Sequence, residues 1–174
     1  DVKNAFLNGK LEETIYLRAP AGLSLPKGKC LRLVKSIYGL KQAPRVWHHE
    51  LSAFFKSVNF SPSQADPCLF VSNDSTWNCW VHVYVDDMVI VSEDVDRFKR
   101  LIKAKYLMED LGPLRHLLGM KITLNKSSLH VSQDLYVQKI LSSYGMENCR
   151  SVETPLVPNT RLIPANQQEE AEFA

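Results

Sequence analysis

No run of apolar residues in this 174-residue chain approaches the roughly 20 needed to span a bilayer as a helix, which excludes that class of membrane protein. The opening residues, DVKNAFLNGK, have neither the basic start nor the apolar centre of a secretion signal. They also lack an initiator Met, so the chain reads as a piece of something longer. Cysteine is sparse: four stand at 30, 68, 79 and 149, and no two form a CxxC pair. That excludes the ligand spacing of a zinc ribbon and of a dithiol redox site. Scattered single cysteines are expected as reduced, buried thiols of an intracellular protein. Repeats and low-complexity runs are absent. Acid is missing from one long span. Between Glu13 and Glu50 there is no Asp or Glu, while Arg18, Lys27, Lys29, Arg32, Lys35, Lys41 and Arg45 fall there. Such a block suits a solvated face or a surface that meets phosphates. The opposite imbalance marks the C-terminal end, with Glu153, Glu169, Glu170 and Glu172.

What is present is ordinary for a globular domain: 45% hydrophobic and 23% charged residues, in a chain long enough for one sizeable core. TIYLRAP, 14–20, alternates and stops at Pro20, as a short strand does; CLRLVKSIYGL, 30–40, begins the same way. From Pro44 the period becomes helical. Val46, Trp47, Leu51, Phe54, Phe55 and Val58 share one face of a helix that ends near Asn59. SPSQADP reads as a loop. CLFVS, WNCWVHVYV and MVIVS read as three strands, the last two joined at an Asp pair. Asp94 starts a second helix that turns Val95, Phe98, Leu101, Ile102 and Tyr106 inward. LGPLRHLLGMKITLNKSSLHVSQ predicts a further hairpin, turning near Asn125 to Ser128 with a glycine bulge, and DLYVQKILSSYGM a last helix capped by Asp134. The Pro- and Glu-bearing end, 151–174, reads as a linker or a truncated C-terminal segment. The pattern is α+β: an antiparallel sheet with helices on one face.

The chemistry sits in HVYVDDMVIV, His82 to Val91. Asp86 and Asp87 stand side by side within a strand-forming apolar run, where burying an unpaired carboxylate costs several kcal/mol. Two readings relieve the conflict. One is a hairpin turn, whose geometry Asp tolerates. The other is a divalent cation. Carboxylates on a rigid hairpin suit Mg²⁺, and a pair of such ions needs a further carboxylate from elsewhere, for which Asp1 is a candidate.

Four blocks occur in order along residues 1 to 157: DVKNAFLNGKLEETIYLRAPAGL at the start, SIYGLKQAPRVW at 36–47, YVDD at 84–87 and LGPLRHLLGMKI at 111–122. Together they closely resemble the reverse transcriptase of copia-type long-terminal-repeat retrotransposons, encoded within a Pol polyprotein. The resemblance implies the palm of a right-hand polymerase over 1–150, with a primer-grip hairpin and the start of a thumb, and with the fingers largely missing. It implies transfer of deoxynucleotides to a primer 3′-OH with two Mg²⁺ ions, or Mn²⁺ in their place. Asp1, Asp86 and Asp87 match the catalytic carboxylates. Asp1 and Asp86 are expected to hold both ions, with Asp87 less directly engaged and the backbone carbonyl of Val2 as an extra ligand.

The resemblance further implies nucleotide-binding roles for Phe6, Gly39 and Lys41. Read by itself, Phe6 beside Ala5 and Leu7 is a core side chain. In the resemblance it matches an aromatic gate that excludes the ribose 2′-OH. Gly39 would let the backbone approach the nascent base pair, and Lys41 and Arg45 would meet phosphates or simply face solvent. Tyr38 stands where retroviral enzymes commonly place a glutamine, and that glutamine's role is not transferred to it. Tyr84 reads either as core or as a contact to the primer end. Gly119 and Met120 match the primer grip. Arg97, Lys99, Arg100 and Lys103 read as a solvated helix face. Implied partners are an RNA or DNA template with its primer, deoxynucleoside triphosphates and the rest of Pol (integrase and ribonuclease H), with no membrane. The implied setting is a cytoplasmic virus-like particle and the nucleus, and the implied purpose is DNA integration. A truncated, catalytically inactive transposon-derived fragment is the alternative.

Overall fold

A computed structural model of the chain describes residues 1–156 and 159–166. Pro158 and the acidic residues Glu169, Glu170 and Glu172 lie outside the described residues. The chain divides into two compact units, Asp1–Leu114 and Arg115–Ala174. The architecture is α+β with antiparallel sheets, as the sequence pattern predicts. No helix among the described residues is long and apolar enough to cross a membrane.

The first unit is built on a four-stranded antiparallel sheet in the order β3-β4-β5-β6: Phe60–Pro62, Leu69–Ser72, Cys79–Tyr84 and Asp87–Ser92. Alternation along β5 buries Cys79, Val81 and Val83 and turns Trp80, His82 and Tyr84 to the other face. Helices α1 (Ala43–Ser57) and α2 (Val95–Lys103) cover the buried face. Phe55 of α1 stacks on Phe70 of β4 at 4.0 Å and lies 5.7 Å from Phe98 of α2, so one aromatic column joins both helices to the sheet. Fully burying each such side chain contributes about 1.5–3 kcal/mol. Pro44 lies in the first turn of α1, where its missing N–H costs nothing. The Asp94 side chain accepts from the Arg97 N–H, an N-cap that starts α2 where the sequence predicts. A small antiparallel pair, β1 (Tyr16–Leu17) with β2 (Leu31–Arg32), stands apart from the main sheet.

Three local expectations need correction. SPSQADP is not all loop: Phe60–Pro62 forms β3, an edge strand, which is where a sheet accommodates proline. Of the four cysteines only Cys79 is buried; all four are free thiols, and Cys30 and Cys149 are exposed because their segments carry no core. In the second unit β7 (His116–Leu117), β8 (Met120–Leu124) and β9 (Leu129–Ser132) form a three-stranded sheet, followed by α3 (Asp134–Ser143). Asp134 is not the cap of α3. Gln133 holds that position without a side-chain bond, and Asp134 lies in the first turn, favourably placed against the helix dipole.

The basic face of α2 is occupied at home. Arg97 pairs with Asp74 at 2.9 Å and lies over the Trp77 ring, and Lys99 and Lys103 reach Asp110. Donors from Thr76, then Arg97, hold the Asp74 carboxyl at about 2, against an ordinary 3.8. Lys99 and the Gly112 N–H do the same for Asp110. A depressed carboxylate stabilises the fold above its unfolded value, and that contribution is lost as pH falls through the folded value. Stability should therefore drop as pH is lowered from about 4 to about 2. The doubly substituted Asp74→Asn, Asp110→Asn chain should start less stable and show a shallower acid slope, read as melting temperature against pH. An equal slope would remove these carboxylates from the acid transition.

Candidate active site

In the β5–β6 hairpin, Tyr84 pairs with Asp87, so Val85 and Asp86 alone form the turn. Two-residue turns that match the twist of a hairpin require a positive φ at their first position. Val85 supplies it, with φ 57°. A β-branched residue in that region carries strain of order 1–3 kcal/mol and persists only where the surroundings over-determine it. Two long-range bonds do so. The Trp47 indole N–H donates to the Val85 carbonyl at 2.6 Å, and the Val2 N–H donates to the Asp86 carbonyl at 2.8 Å.

The turn lifts the carboxylates out of the apolar run. Asp86 is exposed and Asp87 half-buried, so the burial expected from their neighbours is avoided. The same Val2–Asp86 bond brings the start of the chain to the turn. Asp1–Lys3 is held on its other side by residues 107–109. Val2 bridges Met108, the Lys3 N–H donates to the Leu107 carbonyl, and the Glu109 N–H donates to the Asp1 carbonyl, both at 2.9 Å. The Lys3 ammonium binds the Glu109 carboxylate and holds it below the usual carboxylate range. Asp1 is half-buried beside this anchor.

Among the described residues, no side-chain ion pair or hydrogen bond engages the carboxylates of Asp1, Asp86 or Asp87, in contrast to Asp66, Asp74 and Asp110. The Val2 carbonyl accepts no backbone bond there either. No three His, Cys, Asp or Glu side chains among them form a ready metal cage. The free donors are hard oxygens, and they fit an ion such as Mg²⁺, which takes one or two protein carboxylates and completes its shell with water and substrate phosphates.

Beside the turn opens a cavity of about 320 Å³, lined by Asn4, Phe6, Leu7, Ile37, Tyr38, Val85 and Asp86 among others. Phe6 lies in a single 3₁₀ turn, Ala5–Asn8, is 9% exposed, and faces the Tyr38 ring at 5.4 Å. It is thus both core and cavity wall. The buried Ser36 hydroxyl donates to the Phe6 carbonyl, and the Ser36 N–H donates to the Gly9 carbonyl at 3.0 Å. Gly9 packs this turn against α1: a Cβ there would lie 2.5 Å from Val46 Cγ1. Gly9→Ala should destabilise the fold by about 1–3 kcal/mol, as overpacking does. Adding Val46→Ala should return most of the loss, measured by denaturant unfolding. If Gly9→Ala unfolds like the parent, this close approach is not a constraint.

Two of the expected nucleotide-binding residues do not reach the cavity. Gly39, at φ 93°, and Lys41 are exposed and do not line the cavity. Tyr84 is 52% exposed, which rules out the core reading. Gly119 and Met120 belong to the second unit. There Leu118 and Gly119, at φ 50° and 79°, form a two-residue turn between β7 and β8 rather than a bulge. All seven basic residues of the acid-free span are exposed, and none makes an ion pair among the described residues. Sequence reasoning missed Trp47 and Val85 as parts of the site. Trp47 sat on a helix face and read as core; Val85 could have been found, since a two-residue turn between Tyr84 and Asp87 demands its positive φ.

The family described as reverse transcriptase (RNA-dependent DNA polymerase) matches residues 1–158. The Retrovirus-related Pol polyprotein from transposon TNT 1-94 of Nicotiana tabacum is 38% identical over 186 residues, covering 100% of this chain and 14% of the relative. The corresponding polyprotein from transposon RE2 of Arabidopsis thaliana is 34% identical, covering 93% of this chain and 12% of the relative. The Transposon Ty1-BR Gag-Pol polyprotein of Saccharomyces cerevisiae is 28% identical, covering 97% and 10%. The chain therefore spans a small part of the curated relatives it matches. No solved structure matches it.

Proposed function

The chain belongs to the reverse transcriptase family, of the copia type found in transposon Pol polyproteins, and from that membership we propose that it is the palm of a polymerase that copies a template by adding deoxynucleotides to a primer 3′-OH. Residues 1–150 would be that palm with its primer-grip hairpin and the start of a thumb, and 151–174 a linker or a truncated C-terminal segment. The observation that carries the reading is the 2.8 Å bond from the Val2 N–H to the Asp86 carbonyl, which joins the first sequence block to the YVDD turn. That bond brings two segments with unpaired carboxylates to one turn, which supports a shared site.

Divalent cations, when bound, would neutralise the triphosphate and activate the primer hydroxyl. Asp1 and Asp86 would hold them, with the Val2 carbonyl as a further ligand and Asp87 less directly engaged. The cavity bounded by Phe6, Tyr38 and Asp86 would take the incoming nucleotide, with its sugar against the Phe6 ring. The exposed, unpaired cations between Arg18 and Arg45 would contact nucleic-acid phosphates, an attraction that weakens as salt rises. Gly119 and Met120 would meet the primer end. The other Pol segments, integrase and ribonuclease H, would complete the assembly. The test is primer extension on an RNA template by the full-length protein carrying this chain, with Mg²⁺ supplied and withdrawn. Elongation that needs the ion, the template and deoxynucleotides is the expected result; its absence would overturn the proposal.

A further inference from the structure

Asp86 is gripped on both sides by groups far from it in sequence. The peptide plane before it carries the Val85 carbonyl, held by the Trp47 indole at 2.6 Å. The plane after it carries the Asp86 carbonyl, held by the Val2 N–H at 2.8 Å. Two fixed planes leave the Asp86 backbone little freedom, so its Cα–Cβ bond leaves the turn in one direction. The Val2 half of this grip is main chain and is available to any residue but proline at position 2. The Trp47 half depends on one side-chain donor.

That donor is itself rigid. Trp47 is 2% exposed and packs edge-on against Tyr106 at 5.3 Å, and its helix is anchored by Ala43, Leu51 and Phe55, each almost fully buried. The indole aims its single polar atom at the carbonyl of the one residue in the hairpin that is held at positive φ. Without the donor, Val85 is free to rotate its peptide toward the negative φ that a β-branched residue prefers, and Asp86 turns with it.

We infer that Trp47 is a positioning residue, whose indole N–H locks the strained Val85–Asp86 turn and so fixes where the Asp86 carboxylate stands beside the cavity. The inference rests on the polymerase reading above.

The cleanest test removes only the donor. Benzothienylalanine in place of Trp47 keeps the ring shape and substitutes sulfur for N–H; Trp47→Phe is the second variant. Both are made in the full-length protein. Three quantities are compared with the parent: melting temperature, kcat and KM for deoxynucleotide, and amide hydrogen exchange resolved to 83–88. The expected result is a kcat lowered by about 10- to 100-fold, the scale of a small misplacement at a reacting centre, with KM unchanged. Exchange should quicken at 83–88 and nowhere else, and the melting temperature should hold for the benzothienyl variant. Val85→Gly added to either variant should recover part of the lost kcat, because glycine accepts positive φ unaided. Unchanged kcat overturns the inference. So does a loss of melting temperature with faster exchange throughout α1 and the sheet, which would make Trp47 a core residue only. If the parent protein extends no primer, the polymerase reading falls on its own. The exchange comparison then still decides whether Trp47 holds the turn.

Discussion

Asp86→Asn should reduce primer extension to background while leaving the melting temperature unchanged. The two halves of that expectation come from different features of the same residue. Asp86 is exposed at the tip of the turn, and its side chain makes no hydrogen bond or ion pair among the described residues that an amide would break. Exposed substitutions of this kind shift stability by only about 0.5 kcal/mol or less. Its backbone role, accepting from the Val2 N–H, belongs to the carbonyl and survives the substitution. What is removed is the negative charge that an Mg²⁺ ligand needs. A bound cation supplies several kcal/mol of charge stabilisation in such a reaction, and every 1.36 kcal/mol is tenfold, so a loss on the order of a thousandfold or more is expected. Asp87→Asn is the useful comparison. Asp87 is the first residue of β6, half-buried and paired with Tyr84, and should cost less activity. Extension by Asp86→Asn at the parent rate would mean that Asp86 serves the turn alone.

The second large effect concerns the sugar. Phe6→Val should let ribonucleotides compete with deoxynucleotides. The ring forms part of the cavity wall beside Tyr38 and Asp86, and the Ser36 bond to its own carbonyl fixes where it stands. A wall so held cannot yield to an added hydroxyl without overpacking of about 1–3 kcal/mol, or about 5- to 150-fold in discrimination. Because Phe6 is also 9% exposed and part of the main core, stability should fall as well. Truncation to Ala of a wholly buried Phe costs about 3–5 kcal/mol, and the open side toward the cavity puts Phe6 near the lower end. Incorporation ratios and melting temperatures measured on the same protein separate the two roles. A lower melting temperature with an unaltered ratio would leave Phe6 in the core and take it out of selection.

Local periodicity and capping chemistry determined much of this protein by themselves. The apolar stripe from Val46 to Val58 became α1, Asp94 capped α2, and alternation in WNCWVHVYV set which face of β5 is buried. Each of these signals lies within one or two turns of chain, where the residues that decide the conformation are also the residues read. The four ordered blocks likewise identified the family, because their spacing is a property of the sequence alone. Other features were decided only by tertiary structure. Asp86 looked buried among apolar neighbours, yet it is exposed, since a two-residue turn projects it beyond the sheet. Phe6 looked like either core or wall and is both, because its 3₁₀ turn lies at the margin of the packed core. The bonds from Trp47 and Val2 to the turn join residues with no local relation, the first across 38 positions. A buried tryptophan has the same signature in sequence whether its N–H holds a hairpin turn or meets any other carbonyl. Which carbonyl it meets depends on how α1 packs against the sheet, and that is fixed only when the whole core forms.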